Sequence, residues 1–156
     1  MAGEYPAGYE ELETRRRLQA LIRAGIRVFI DLTHPDDYMF NYVEILNDEA
    51  NGYMANVKYS QFPIIDRSVP LKSEMSGILD VIDKSIQVGN PLYIHCIAGV
   101  GRTGTVVGCH LVRHGMKPDE AIREIKKLRH RIPSHWARSP EADEQVDFIH
   151  NWKPGL

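Results

Sequence analysis

Apolar and polar positions alternate along the chain with two periods, and the switches between them outline the elements. From Glu10 to Ala24, Leu12, Leu18, Leu21 and Ile22 recur at helical spacing, opposite Arg15, Arg16, Arg17 and Arg23, and Gly25 ends the run. Arg27–Leu32 is a short apolar block, read as a buried strand. Residues 33–56 are polar and rich in turn formers, and their pattern assigns no element. Val57–Ile65 reads as a second strand. Ser73–Val88 gives the clearest helix, with Met75, Ile78, Leu79, Ile82 and Ile86 on one face, Ser73 at the N-cap and Gly89 after the end. Pro91–His95 is a third strand. Arg102–His114, apolar on most faces, is a buried helix stopped by Gly115. Pro118 opens a helix to about Leu128, with Asp119 and Glu120 in its first turn. Ile132–Arg138 reads as a loop, and Ser139-Pro140-Glu141 as the start of a last helix sharing Ala142, Val146 and Ile149 on one face. Strands separated by helices predict an α/β fold, a central, mostly parallel sheet flanked by helices, in one domain over residues 1–156.

Composition narrows the setting. Hydrophobic residues make up 43% and charged residues 26% of the chain, ordinary for a globular protein. No apolar run approaches the roughly 20 residues of a membrane span. Two cysteines, Cys96 and Cys109, do not make a disulfide scaffold, so a reducing, cytoplasmic setting is expected. The net charge of −2 divides into −5 for residues 1–95 and +3 for residues 96–156. The basic half suits an anionic substrate. No nucleic-acid or membrane partner is expected, and a monomer is.

The stretch Tyr93-Ile-His-Cys-Ile-Ala-Gly-Val-Gly-Arg-Thr-Gly-Thr105 holds the candidate chemistry. It passes from a strand through a loop containing Gly99 and Gly101 into the first turn of a helix. Glycines let a loop curl until its N–H groups aim at one point, and the helix dipole adds positive potential there. Such a cup binds a phosphate dianion. It also favours the thiolate of a cysteine at its base, here Cys96. Arg102 offers a planar fork for two phosphate oxygens, with Ile97, Ala98, Gly99, Val100 and Gly101 lining the cup. A thiolate beneath a phosphoryl group is placed for in-line attack, giving a phosphocysteine that water then hydrolyses.

His95-Cys96-x5-Arg102-Thr103 resembles the signature of the cysteine-dependent protein phosphatases, in their compact, atypical dual-specificity branch. The resemblance runs from Gly25-Ile26-Arg27-Val28 to the last helix and implies a dual-specificity/tyrosine phosphatase-like fold. It implies hydrolysis of phosphotyrosine, and of phosphoserine or phosphothreonine, on a protein or peptide, with no metal and no cofactor. It departs at the front, where only Met1-Ala2 precede Gly3-Glu4-Tyr5-Pro6, so the first strand is expected to be missing or cut short.

A phosphorylated hydroxyl leaves poorly without a general acid, and one carboxyl can serve as acid and then as base. Asp66 is the candidate. It follows a strand and precedes Pro70, similar to the family's Asp-x-x-x-Pro loop; Asp31 also ends a strand but lacks that loop. Thr103 is expected to donate its hydroxyl to the Cys96 sulfur. Strand alternation turns His95 away from Cys96, as an orienting hydrogen-bonder. Gln145 resembles the family's water-positioning glutamine; a solvent-facing helix position is the other reading.

His34, Asp36 and Asp37 read as a helix-starting loop rather than a metal site. Arg123, Lys126, Lys127, Arg129, Arg131 and Arg138 read as a solvated surface, and Cys109 as core. Three alternatives stay open: a non-catalytic phosphopeptide-binding module, a phosphatase for a phosphoinositide or an RNA 5′-triphosphate, and a rhodanese-like sulfurtransferase.

Overall fold

The computed structural model describes residues 1–132 and 134–155. Its elements run β1 (Ala2–Gly3), α1 (Glu11–Arg23), β2 (Val28–Asp31), α2 (Val43–Gly52), β3 (Lys58–Gln61), α3 (Lys72–Gln87), β4 (Leu92–His95), α4 (Gly101–Arg113), α5 (Pro118–Leu128) and α6 (Asp143–His150). Single 3-10 turns lie at Pro35–Asp37 and Arg129–Arg131. The four strands form one sheet in the order β1-β4-β2-β3, with every pairing parallel. That is the α/β sandwich expected from the sequence, with all its strands, rather than most, running the same way.

Side-chain alternation sorts the strand residues onto two cores. Val28, Ile30, Leu92, Ile94 and Cys96 join α3, α4 and α6 on one face. Phe29 and Tyr93 join Tyr5, Tyr42 and the apolar sides of α1 and α2 on the other. Cys96 and His95 therefore leave the strand on opposite faces. The apolar blocks at β2 and β4 are buried throughout because helices cover both surfaces.

Several boundaries and faces differ from the sequence reading. The unassigned residues 33–56 contain α2, whose buried Ile45, Leu46 and Ala50 are too few to stand out among polar neighbours. The strand expected over Val57–Ile65 is only Lys58–Gln61, an edge strand. Leu12 and Ile86, expected inward, lie exposed near the ends of their helices. Leu71, not Ser73, caps α3, and the Glu74 carboxylate accepts from its N–H. The last helix starts at Asp143, because Ser139 and Pro140 pack against the α4 start instead. The first strand is present: Ala2 and Gly3 pair with Ile94 and His95, and the Ile94 N–H donates to the Met1 carbonyl.

Candidate active site

The site forms where β4 ends and α4 begins. Cys96 is buried at that junction, and residues 97–100 loop over it. Three loop carbonyls are tied down from outside. The Tyr5 N–H donates to the Ile97 carbonyl at 2.7 Å, Arg129 Nη1 to that of Gly99 at 2.6 Å, and Ser139 Oγ to that of Val100 at 2.7 Å. In a trans peptide the N–H points opposite to the C=O. Fixing these carbonyls outward therefore turns the amides of Ala98, Val100 and Gly101 toward the inside of the loop. Gly99 makes the curl possible: its φ is +66°, and a Cβ there would lie 2.4 Å from the Gly3 backbone. The short strand β1 thus doubles as the loop's outer wall.

Arg102 is 1% exposed, and the placement of its guanidinium follows from its partners. Nη1 donates to Asp37 Oδ2 at 2.5 Å and to the Ile64 carbonyl at 2.9 Å. Nη2 meets Asp66 Oδ1 at 3.1 Å, and Nε is buried without a hydrogen-bond partner among the described residues. One corner of the fork is anchored. The Nε–Nη2 edge, shared only with a half-exposed carboxylate, is the edge left to bind an oxyanion. Asp66 itself lies in a turn beside Arg67, whose φ is +60°.

Gln145 is fully buried, so its solvent-facing reading is corrected. Its amide lies against Gly101, donates from Nε2 to the Ser68 carbonyl and accepts at Oε1 from the Ala142 N–H. It thereby joins the Asp66 loop to the first turn of α4. Ile97 and Ala98 are exposed on the loop, and Gly99, Val100 and Gly101 are buried in it.

The bond expected from Thr103 to the Cys96 sulfur is not made. Thr103 Oγ1 is buried with no hydrogen-bond partner among the described residues. Thr103 instead lines a cavity of about 300 Å³ behind the loop with Gly99, Arg129 and Ser139.

His95 is fully buried, with Nε2 2.7 Å from the Tyr42 hydroxyl and Nδ1 3.4 Å from the Cys96 carbonyl. Burial lowers its pKa to about 4, and the nearby Asp31 carboxylate only partly offsets this. A neutral imidazole bracing the strand end fits an orienting hydrogen-bonder. Asp31, the weaker acid candidate, is also buried; its carboxylate accepts from Thr33 N–H, Thr33 Oγ1 and the Tyr59 hydroxyl. Burial pushes the Cys109 thiol up, as expected of a core residue.

Two contributors were missed in the sequence. By sequence Asp37 belongs to a helix-starting loop. It does cap the 3-10 turn, accepting from the His34 N–H, but the same oxygen holds Arg102. By sequence Arg129 belongs to a solvated basic surface, but it is buried against the loop. The available signal for Asp37 was its position after a strand that ends beside β4. For Arg129 no local pattern separates it from its exposed neighbours.

A family model described as "Polymorphic toxin system, DSP-PTPase phosphatase" matches residues 7–116. The chain is 32% identical over 108 residues to an Arabidopsis thaliana phosphatidylinositol 3,4,5-trisphosphate 3-phosphatase and protein-tyrosine-phosphatase, PTEN1, covering 67% of this chain and 26% of that protein. It is 29% identical over 85 residues to the Candida albicans tyrosine-protein phosphatase CDC14, covering 54% of this chain and 16% of that one. The chain thus spans about a quarter or less of the length of these curated relatives. Among solved structures, Tk-PTP in its active form superposes with a TM-score of 0.74 at 21% identity, over 97% of this chain and 96% of that one. At that identity the likeness is one of fold.

Proposed function

The chain belongs to the DSP-PTPase phosphatases, and from that premise we propose that it hydrolyses phosphate monoesters of protein side chains, phosphotyrosine first, through a phosphocysteine. The observation carrying this reading is the arrangement around Arg102: one nitrogen fixed by Asp37, the opposite edge open beside Asp66, and a loop of inward amides next to it.

In the first step the Cys96 thiolate attacks phosphorus; the S–P bond forms, the ester P–O bond breaks, and Asp66 gives its proton to the leaving oxygen. The loop amides and the Nε–Nη2 edge of Arg102 hold the three equatorial oxygens, where charge is spread in the transition state. In the second step Asp66 takes a proton from water as it attacks phosphorus, and the S–P bond breaks to return the thiolate. Gln145 orients that water in this reading, which its position between the Asp66 loop and Gly101 supports. Thr103 carries a buried hydroxyl without a partner among the described residues, and the sulfur leaving group would give it one.

An aryl phosphate is favoured by what surrounds the loop. A cavity of about 680 Å³ beside Ile97 is lined by Tyr5, Tyr9, Tyr38, Met39 and Phe40, apolar area that a phenyl ring would cover. The loop side chains Ile97, Ala98 and Val100 bring no cation for a second phosphate, which favours a monoester over a polyphosphorylated lipid or RNA end. Both cysteines are free, which supports a reducing, cytoplasmic setting; no described helix is long and apolar enough to cross a membrane.

The test is hydrolysis of a phosphotyrosine peptide beside phosphoserine, phosphoinositide and RNA 5′-triphosphate, using the protein and Cys96→Ser. Phosphotyrosine turnover lost in the variant is the expected outcome. Turnover retained by Cys96→Ser, or no turnover of any monoester, overturns the reading.

A further inference from the structure

At the end of α4 farthest from the loop, three side chains from two helices point at one spot. His110 lies in the last turn of α4 and His114, four residues on, caps its end, so the two imidazoles come together, and Asp83 reaches them from α3. One ligand atom from each lies within 4.8 Å of the others. Asp83 Oδ1 is 2.8 Å from His114 Nε2 and 3.5 Å from His110 Nδ1. A tetrahedral zinc ion with bonds of about 2.0–2.1 Å separates its ligands by roughly 3.3 Å, between those two distances.

The carboxylate is also aimed. Arg113 Nη1 forms an ion pair with Asp83 Oδ2 at 3.2 Å, without a hydrogen bond, while its Nη2 donates to Asp80, and Oδ1 is the Asp83 oxygen nearest the imidazoles. A fixed charge beside one oxygen of a carboxylate leaves the other as the one free to ligate. His110 Nδ1 is buried and has no hydrogen-bond partner among the described residues, an arrangement that costs free energy unless something fills it.

We propose that Asp83, His110 and His114 form a divalent transition-metal site of the zinc type, with a fourth position open to water. Imidazole and carboxylate donors suit Zn²⁺ and Co²⁺ over Ca²⁺ or Mg²⁺. His114 is more than half exposed, which gives the ion a path in. The ion would clamp α3 to α4, the helix whose first turn carries Arg102, and takes no part in the phosphoryl chemistry.

Because a cysteine thiolate also binds such metals, the measurement uses full-length Cys96→Ser protein and Co²⁺, whose visible bands report coordination. One Co²⁺ per chain with tetrahedral-type visible absorption, displaced by Zn²⁺, is expected. Replacing the exposed His114 with Gln should weaken binding at least tenfold, and Arg113→Gln about tenfold as a loss of orientation. Circular dichroism checks that both variants fold. Absence of stoichiometric Co²⁺ binding, or bands unchanged in a folded His114→Gln protein, overturns the proposal.

Discussion

Arg129 Nη1 donates to the Gly99 carbonyl at 2.6 Å, so a cation from the end of α5 governs the orientation of a peptide in the loop above Cys96. Its Nη2 is spent on the Ser134 carbonyl and hydroxyl, which fixes the guanidinium on both sides. Replacing Arg129 with Met keeps the apolar stem and frees the Gly99 carbonyl to turn inward. An inward carbonyl would face a phosphate oxygen with the wrong sign. Misplacement of about 1 Å near a reacting centre can lower rates about 100-fold, so kcat/KM should fall by roughly 10–100-fold. Vanadate affinity should fall in parallel, and Arg129→Lys should recover part of both. An unchanged vanadate affinity would mean that the Gly99 peptide does not depend on Arg129.

Asp66 lies 3.1 Å from Arg102 Nη2 yet is half-exposed, so substrate can displace it from the guanidinium without unfolding anything. If it donates the proton to the leaving oxygen, Asp66→Asn should lower kcat on phosphotyrosine by about 10²–10⁴-fold and leave KM nearly unchanged. An aryl phosphate with a far more acidic leaving group needs that proton less and should lose much less. Equal losses on both substrates would remove Asp66 from the first step.

The parts of the site legible in the sequence are those carried by local spacing. Cys96, Gly99, Gly101 and Arg102 lie within seven consecutive residues, and the strand–loop–helix around them follows from apolar periodicity. Asp66 was legible because it ends an apolar run at a turn. What the sequence leaves hidden is contact across long separations. Asp37 and Arg129 reach Arg102 and the loop from 65 and 30 residues away, and each lies beside residues of its own charge type, Asp36 in one case and Arg131 in the other, that make no such contact. The short β1 was underestimated for a related reason. Two residues carry no periodicity, and their role comes from the Met1–Leu92 and Tyr5–Ile97 bonds that fasten them.

Asp37 is the partner that fixes which edge of Arg102 faces the substrate. Both side chains are buried, so removing the carboxylate leaves a guanidinium charge uncompensated on one side. Asp37→Ala should destabilise the fold by about 3–5 kcal/mol, seen as a lower urea midpoint. Asp37→Asn, which retains a hydrogen-bond acceptor, should fold well and separate function from stability. There the inhibition constant for inorganic phosphate should rise by about tenfold, because the fork is no longer pre-aligned. A phosphate affinity unaffected by Asp37→Asn would show that the Ile64 carbonyl alone orients Arg102.

His95 makes the last expectation one of pH. In the folded protein burial lowers its pKa to about 4, whereas an unfolded histidine titrates near 6.5. Between those values the unfolded chain binds the extra proton, so stability rises with pH across this window and is fully present above it. As pH falls from about 6.5 to 4, the neutral imidazole beside Tyr42 and the Cys96 carbonyl becomes progressively harder to keep, at a cost of about 3 kcal/mol in all. His95→Gln, which offers an amide to the same partners and does not titrate, should flatten that slope. Urea midpoints measured from pH 4 to 8 on both proteins give the comparison. Parallel curves would place the acid sensitivity elsewhere and leave His95 with no protonation-linked role at the end of β4.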